Sequence, residues 1–170
     1  MNGHPGGEAH TRRMLALASL PAGAAVLDMG TGAGEALGLL RAEGFAARGI
    51  DLNPRGADVE RGDFLRAPYP DRSFDAVLSQ CAFFVSGDQR GALREAGRLL
   101  RPGGALLLSD VFFEDPPRLL TEAGFAPVYE EDLTPLWRAY YLEALWRDDC
   151  PCIEIPRGRC RYELLIGKKV

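Results

Sequence analysis

Residues 26–35 hold three glycines and two acids, Asp28 and Glu35, whose spacing suits the binding of a ligand. The run 26–34, Val-Leu-Asp-Met-Gly-Thr-Gly-Ala-Gly, passes from apolar residues to Asp28 and then to Gly30, Gly32 and Gly34. Glycine permits a positive φ and lets backbone N–H groups approach a bound molecule without a Cβ in the way. A helix beginning behind this turn would add free N–H donors and the positive end of a dipole. The stretch therefore predicts a buried strand, a tight turn and a helix around a ligand.

The acids of this stretch indicate the charge of that ligand. In the dinucleotide fingerprint G-x-G-x-x-G the third glycine would stand at position 35, where this sequence has Glu35. A carboxylate there repels a pyrophosphate but not a cation, and Asp28 adds negative charge at the end of the strand. We therefore expect an adenosine-type ligand with a positive group and no phosphate. S-adenosylmethionine (SAM), with its sulfonium and α-amino groups, meets that description.

Two further acids follow at useful distances. Asp51 ends a second predicted strand, 46–51, about 20 residues past the glycines, where a carboxylate can accept both ribose hydroxyls. A turn aspartate before Asn53-Pro54 is the alternative explanation. The pair Asp63-Phe64 follows a short connection with little space for a full helix. Gly-Asp is also a common turn pair, so this signal is weaker.

The run 26–34 resembles motif I of the class I SAM-dependent methyltransferases, and the resemblance continues through Asp51, Asp63 and the segment 74–84. The chain is similar to small single-domain members of the quinone-biosynthesis and arsenite methyltransferase kind. The resemblance implies an α/β fold with a Rossmann-like, doubly wound, seven-stranded mixed sheet whose last strand is antiparallel. It implies SAM as cofactor, S-adenosylhomocysteine (SAH) as product, and these cofactor-binding residues: Asp28, Gly30, Thr31, Gly32, Gly34, Asp51, Leu52, Asp63, Phe64, Gln80 and Cys81.

In the family, Asp63 would accept from the adenine amino group and the Phe64 N–H would donate to a ring nitrogen. The acceptor is expected to be a small molecule near Phe84, Asp110 and Tyr140. Cys81 is either an apolar wall residue or a contact for a thiol, metalloid or electrophilic acceptor. The Asn/Asp-Pro-Pro-Tyr segment of many amine-methylating members is missing, which counts against exocyclic amines as acceptors.

No residue is assigned a catalytic role from the sequence. SAM is a potent electrophile, so proximity and alignment can supply much of the rate of an in-line displacement. Two other classes of function stay open. One is a SAM- or SAH-binding module without catalysis, or a methyltransferase subunit that a partner completes. The other is a nicotinamide-dependent oxidoreductase, which Glu35 and the glycine spacing disfavour.

Composition excludes several kinds of partner. The 170 residues suffice for one core, and a net charge of −4 without a Lys/Arg block disfavours nucleic acid. No apolar run reaches the roughly 18 residues of a membrane span, and residues 1–10 lack the apolar region of a secretory signal. We therefore expect a cytoplasmic protein.

Cysteine spacing gives no metal site. Three of the four cysteines, Cys150, Cys152 and Cys160, cluster late in the chain. A structural zinc site needs four ligands, and the two histidines, His4 and His10, are distant in sequence. We expect reduced thiols and no metal. An alternative interpretation is that the cysteine cluster binds a soft metalloid or a thiol acceptor.

Hydrophobic periodicity and turn residues predict the elements that must position these groups. Residues 1–23 are expected to be a flexible tail and a covering helix, 11–20, capped by Thr11; residues 24–170 form the methyltransferase domain. Predicted strands are 24–28, 46–51, 74–79, 105–109, 126–132 and 161–170, and predicted helices are 34–43, 88–100, 116–123 and 135–147. The last helix is rich in aromatic residues, which are expected either to pack in the core or to form an acceptor lid or a surface for a homodimer or partner protein.

Overall fold

A computed structural model describes residues 4–146 and 159–170. Its strands form one seven-stranded sheet in the order β3-β2-β1-β4-β5-β7-β6. Neighbouring strands from β3 to β5 are parallel, and β7 is antiparallel to both β5 and β6. The predicted fold and the antiparallel last strand are confirmed. The strands are β1 (Ala25–Met29), β2 (Ala46–Asp51), β3 (Glu60–Arg61), β4 (Phe74–Gln80), β5 (Leu100–Phe112), β6 (Phe125–Asp132) and β7 (Arg161–Lys169).

Helices cover both faces of the sheet. They are α1 (Gly7–Ala18), α2 (Glu35–Ala42), α3 (Gln89–Leu99), α4 (Pro116–Glu122) and α5 (Thr134–Trp146), with one 3₁₀ turn at Phe64–Arg66. Asp88 caps α3 by accepting a hydrogen bond from the Gly91 N–H, as its residue type favours. Between β2 and β3 the chain forms bends and turns without a helix, as its short length predicts.

The central strands divide their side chains between two apolar cores. In β5, Leu106 and Leu108 pack on the core that contains α3 and α4, whereas Leu107 packs on the core that contains α1 and α5. All three are fully buried. A strand that is covered on both faces has apolar residues on both, which explains the continuous apolar run in the sequence of β5.

The N-terminal helix begins earlier than predicted. It starts at Gly7, and Gly6 precedes it in a left-handed conformation with φ of 81°. Thr11 is therefore not the cap but a buried residue inside the helix, and His10 is buried as well. The expected flexible tail is wrong for residues 7–10, because the glycines supply the turn into the helix and not a loop.

β5 is longer than predicted, because the expected stop signal 101–104 lies within it. Phe74 pairs with Leu100, whereas Ala76 pairs with Ala105, so the extra residues form a bulge. Gly103 takes a φ of 74° in this bulge. The Pro-Gly-Gly sequence thus bends the strand and does not end it.

The aromatic helix α5 exposes apolar side chains in the described part of the chain. Leu136, Leu142 and Trp146 are exposed, whereas Trp137 and Tyr141 are buried against the sheet. The predicted end of this helix at Arg147, and Cys150 and Cys152, lie outside the described residues. Within residues 4–146 and 159–170, no helix combines the length and apolar character needed to cross a membrane.

Replacement of Gly30 by alanine is expected to destabilise the protein far more than the same change at Gly44. Both have a positive φ, 83° and 86°, but a Cβ on Gly30 would lie 2.2 Å from Cβ of Ala82, whereas one on Gly44 would meet nothing within 4 Å. Gly44→Ala should cost about 1–2 kcal/mol from backbone strain, and Gly30→Ala about 3 kcal/mol or more because steric overlap adds. Urea unfolding measures both. Equal losses would contradict the close approach of the β1 turn to Ala82.

Candidate functional site

A cavity of about 420 Å³ opens at the edge of the sheet where β1, β2 and β4 end. The carboxyl ends of parallel strands are the usual binding edge of such a sheet. Loops after all three strands, the turn after β3 and the segment before α1 contribute its walls. The lining residues are His4, Asp28, Gly30, Thr31, Gly32, Ala33, Glu35, Ala36, Asp51, Leu52, Asn53, Arg55, Asp63, Phe64, Leu65, Gln80, Cys81, Ala82, Val85 and Ser86.

The glycine turn after β1 is held by the end of β2. The Gly30 N–H donates to the Ile50 carbonyl at 2.9 Å, and the Gly32 N–H donates to Oδ2 of Asp51, also at 2.9 Å. Gly34 takes a φ of 84° and leads into α2. Gly30 and Gly32 line the cavity but Gly34 does not, so the structure gives Gly34 a conformational role in this turn.

Both carboxylate oxygens of Asp51 accept hydrogen bonds from backbone N–H groups. Oδ2 accepts from Gly32, and Oδ1 accepts from the Asn53 N–H at 2.8 Å. Each oxygen keeps a further lone pair for a ligand. The carboxylate therefore joins two loops of the site and faces the cavity at the same time.

Asp28 and Thr31 present polar atoms without partners. Asp28 and Thr31 both line the cavity, and their buried atoms Asp28 Oδ2 and Thr31 Oγ1 make no hydrogen bond of good geometry in the described part of the chain, although the Thr31 hydroxyl is near enough to lower the pKa of Asp28. Burial raises the pKa of Asp28 to about 7, and the charge of Asp51 adds to this effect. A cationic or hydrogen-bonding ligand would satisfy both atoms, since buried polar groups are otherwise almost always paired.

Asp63 and Phe64 lie next to each other in the cavity wall. Asp63 caps the short 3₁₀ turn by accepting from the Leu65 N–H at 2.8 Å. Phe64 is buried, with its ring 5.7 Å from that of Phe83. The two residues thus combine a fixed carboxylate with an apolar surface, an arrangement suited to a planar base.

Helix α1 and the residues before it reach over the cavity. Thr11 Oγ1 donates to Oε1 of Gln80 at 3.2 Å, and the two nitrogens of the His4 ring lie 3.2 Å from Thr11 Oγ1 and from Nε2 of Gln80. These three side chains form a closed polar ring, and two of them, His4 and Gln80, line the cavity. No sequence pattern links His4 to position 80, so its place at the site could not be predicted.

A second polar chain runs beneath Cys81. His10 Nε2 lies 2.9 Å from Ser109 Oγ, the Ser109 hydroxyl donates to Tyr162 Oη at 2.8 Å, and Tyr162 Oη lies 3.3 Å from Cys81 Sγ. Burial lowers the pKa of His10 to about 4 and raises that of Cys81 to about 12. His10 is therefore a neutral structural residue away from the cavity, and Cys81 is a thiol and not a thiolate.

Cys81 also has an unusual backbone. Its φ of 58° places a non-glycine residue in the left-handed region, at the point where β4 ends. Its N–H donates to the Ser109 carbonyl at 2.9 Å, which holds the conformation. Such strain is found where the surrounding structure fixes a functional side chain.

The predicted acceptor residues divide between two environments. Phe84 and Asp110 line a small second cavity that shares Cys81 and Val85 with the larger one. Asp110 is fully buried and accepts from the Phe84 and Val111 N–H groups at 2.9 and 2.8 Å. Tyr140 lines neither cavity; it is half-buried on α5, with its ring edge-on to Tyr141.

Comparison with known proteins identifies the domain. Residues 27–108 match Methyltransf_11, a family described as a methyltransferase domain. Over these residues the chain is similar to that family, and its fold is the Rossmann-like fold of the class I methyltransferases.

Individual relatives and structures agree with this class. A demethylmenaquinone methyltransferase of Tropheryma whipplei is 33% identical over 135 residues, which cover 72% of this chain and 54% of that protein. This chain therefore spans about half the length of that relative. Phosphoethanolamine N-methyltransferase 2 of Haemonchus contortus, solved in complex with SAM, superposes with a TM-score of 0.78 over 98% of this chain and 53% of that chain, at 16% identity.

A third similar structure shows that the fold alone does not define the reaction. The [4+2]-cyclase SpnF superposes with a TM-score of 0.75 at 20% identity, covering 95% of this chain and 80% of that chain. The same architecture thus hosts a different chemistry, as common folds often do. Function must therefore be argued from the cavity.

The buried acids predict a pH dependence of stability. Burial raises the pKa of both Asp28 and Asp110 from an ordinary value of 3.8 to about 7. Between these values the folded protein keeps protons that the unfolded chain has lost, so the free energy of unfolding falls as the pH rises, by at most about 1.4 kcal/mol per pH unit for each group. Urea unfolding from pH 4 to pH 8 measures this slope. Asp28→Asn with Asp110→Asn should flatten it, whereas the exposed Asp58→Asn should not; an unchanged slope in the double variant would contradict the assignment.

Proposed function

We propose that this protein is a SAM-dependent methyltransferase that acts on a small-molecule acceptor. The observation that carries the proposal is the cavity at the carboxyl edge of the sheet, which combines a glycine turn with the acids Asp28, Glu35, Asp51 and Asp63. Its negative charge favours a cationic ligand. The family match and the SAM complex of a structural neighbour support the choice of SAM.

Each part of the cavity suits one part of the cofactor. Asp51 would accept the ribose hydroxyls, with Leu52 beside it in the wall. Asp63 and Phe64 would hold the adenine. The unpartnered Asp28 Oδ2 and Thr31 Oγ1 lie in the same cavity as Gln80 and Cys81, and would face the charged amino-acid part. Helix α1 would cover the site, because His4 lines the cavity and is hydrogen-bonded to Gln80.

Bound SAM would supply an electrophilic methyl group. Transfer of that methyl group to the acceptor's electron pair would leave the electrons of the broken carbon–sulfur bond on sulfur, giving SAH, and any proton that the acceptor loses would pass to solvent water. The protein's contribution is to hold the two molecules in line and to exclude water. No side chain of the cavity is a strong base, since the pKa of His4 is lowered by burial and Cys81 is a thiol.

A nicotinamide dinucleotide fits the same cavity poorly. Its pyrophosphate would lie at the start of α2, where Glu35 lines the cavity. Arg55 is the basic side chain in this wall and is outnumbered by four acids. A cytoplasmic location, and a homodimer or partner contact through residues 135–147, stay predictions.

Asp51→Ala is expected to weaken SAM binding. The change removes a charged acceptor of ribose hydroxyls and frees the Gly32 N–H, so the loss should be about 1.5–3 kcal/mol, or roughly ten- to more than a hundredfold in Kd. Isothermal titration with SAM and SAH measures it. Asp58→Ala is the matched control, because Asp58 is exposed, outside the cavity and paired with Arg41. Unchanged SAM affinity in Asp51→Ala would refute the ribose assignment.

The same titration should show no binding of NAD to the unaltered protein. The repulsion between Glu35 and a pyrophosphate is the physical reason. Glu35→Gln should therefore leave SAM as the preferred ligand while reducing the discrimination against NAD. Tighter binding of NAD than of SAH would overturn the proposed cofactor.

A further inference from the structure

The small second cavity is lined by a tryptophan, Trp137, whose indole nitrogen Nε1 has no partner in the described part of the chain. This cavity lies between the end of β4, the end of β5 and α5, and has a volume of about 10 Å³. Trp137 is itself buried. Buried N–H groups are paired in nearly all folded proteins, so the empty donor indicates a missing acceptor atom.

The indole is held rigidly by its neighbours. Its ring is stacked on that of Tyr162 at 6.3 Å with 10° between the planes, and it is edge-on to Tyr141 at 5.3 Å. Tyr162 is itself fixed by the Ser109 hydroxyl. The N–H therefore cannot turn to another partner without disturbing the core, which is how a preorganised donor is built.

The size and position of the cavity restrict what can fill it. A volume near 10 Å³ accommodates about one oxygen-sized group. The cavity adjoins the proposed cofactor cavity, because Cys81 and Val85 line both. A molecule seated beside the cofactor could therefore extend one oxygen past Cys81 towards Trp137.

The side chains around the small cavity indicate that its occupant has an apolar body and carries no negative charge. Among the residues that line the small cavity in the described chain none is basic, and both carboxylate oxygens of Asp110 already accept backbone hydrogen bonds. Half-exposed apolar side chains continue from it: Val85, and Phe113, whose ring lies 5.8 Å from that of Phe84. Phosphates and carboxylates would lack a counter-charge here.

We propose that this cavity is the acceptor's oxygen subsite: the Trp137 Nε1–H donates to a carbonyl or hydroxyl oxygen of a neutral, largely apolar acceptor. The inference rests on the proposed function, since it places the acceptor beside the cofactor. It makes Trp137 a residue that determines acceptor specificity.

The test uses two probes that differ in one oxygen, 1-tetralone and tetralin. The chain has two tryptophans, so ¹⁵N-labelled protein gives two indole N–H signals, and Trp146→Phe assigns them. With saturating SAH, 1-tetralone should shift the Trp137 signal and bind about tenfold more tightly than tetralin, the effect of one hydrogen bond. Trp137→Phe, which keeps an aromatic ring at this position, should remove the preference. Trp146→Phe is the matched control, because Trp146 is exposed, and should retain it.

The possible results separate this inference from the proposed function. Equal binding of the two probes, or a preference for 1-tetralone that survives Trp137→Phe, would overturn the oxygen subsite. An unshifted Trp137 signal would do the same and would indicate that the donor binds only water. Failure of the unaltered protein to bind SAH in calorimetry would instead overturn the proposed function. If Trp137→Phe binds SAH normally, its fold is intact and its probe preference is interpretable.

Discussion

The hydrogen bond between the Asp51 carboxylate and the Gly32 N–H holds the candidate site together. The glycine turn has several positive φ angles and few hydrogen bonds of its own, so its shape depends on β2. Backbone bonds from Gly30 to Ile50 and from Arg55 to Gly32, each 2.9 Å long, complete the attachment. The parallel register of β1 and β2 brings these loops together at the edge of the sheet where the cavity opens.

Several polar atoms at the candidate site lack hydrogen-bond partners, which lowers the stability of the fold but leaves these atoms available to a ligand. Asp28 is buried without a partner for Oδ2, and Thr31 and Trp137 also leave polar atoms unpaired in the described chain. Each such atom costs roughly 1–3 kcal/mol. Elsewhere the polar groups near the cavity are paired, as in the ring of His4, Thr11 and Gln80. Unpaired buried atoms also occur away from these two cavities, at Tyr69 and Glu163, so an unpaired atom indicates a ligand surface only where it belongs to a residue that lines one of them.

Sequence patterns predicted those features of the fold and the site that depend on residue types within one short segment. The run 26–34, the acid at Asp51 and the apolar strands were recognisable because turns and buried strands restrict residue types. The roles of His4, Trp137 and Tyr162 were not recognisable, because each arises from contacts between residues far apart in the chain. His4 and Gln80, for example, are 76 positions apart. The start of α1 was misplaced because glycine indicates a cap and a loop equally well.

The position of β7 has a consequence for synthesis of the chain. β5 and β6 are not paired with each other, and each is completed only by β7, which lies between them and follows both in sequence. During translation β1 to β5 can pair as they emerge, while the free edges of β5 and β6 await the last strand. Unpaired edges invite association with other chains. Folding of this half of the sheet is thus delayed until β7 leaves the ribosome, and a ribosome stalled before residue 161 would carry a chain prone to aggregate.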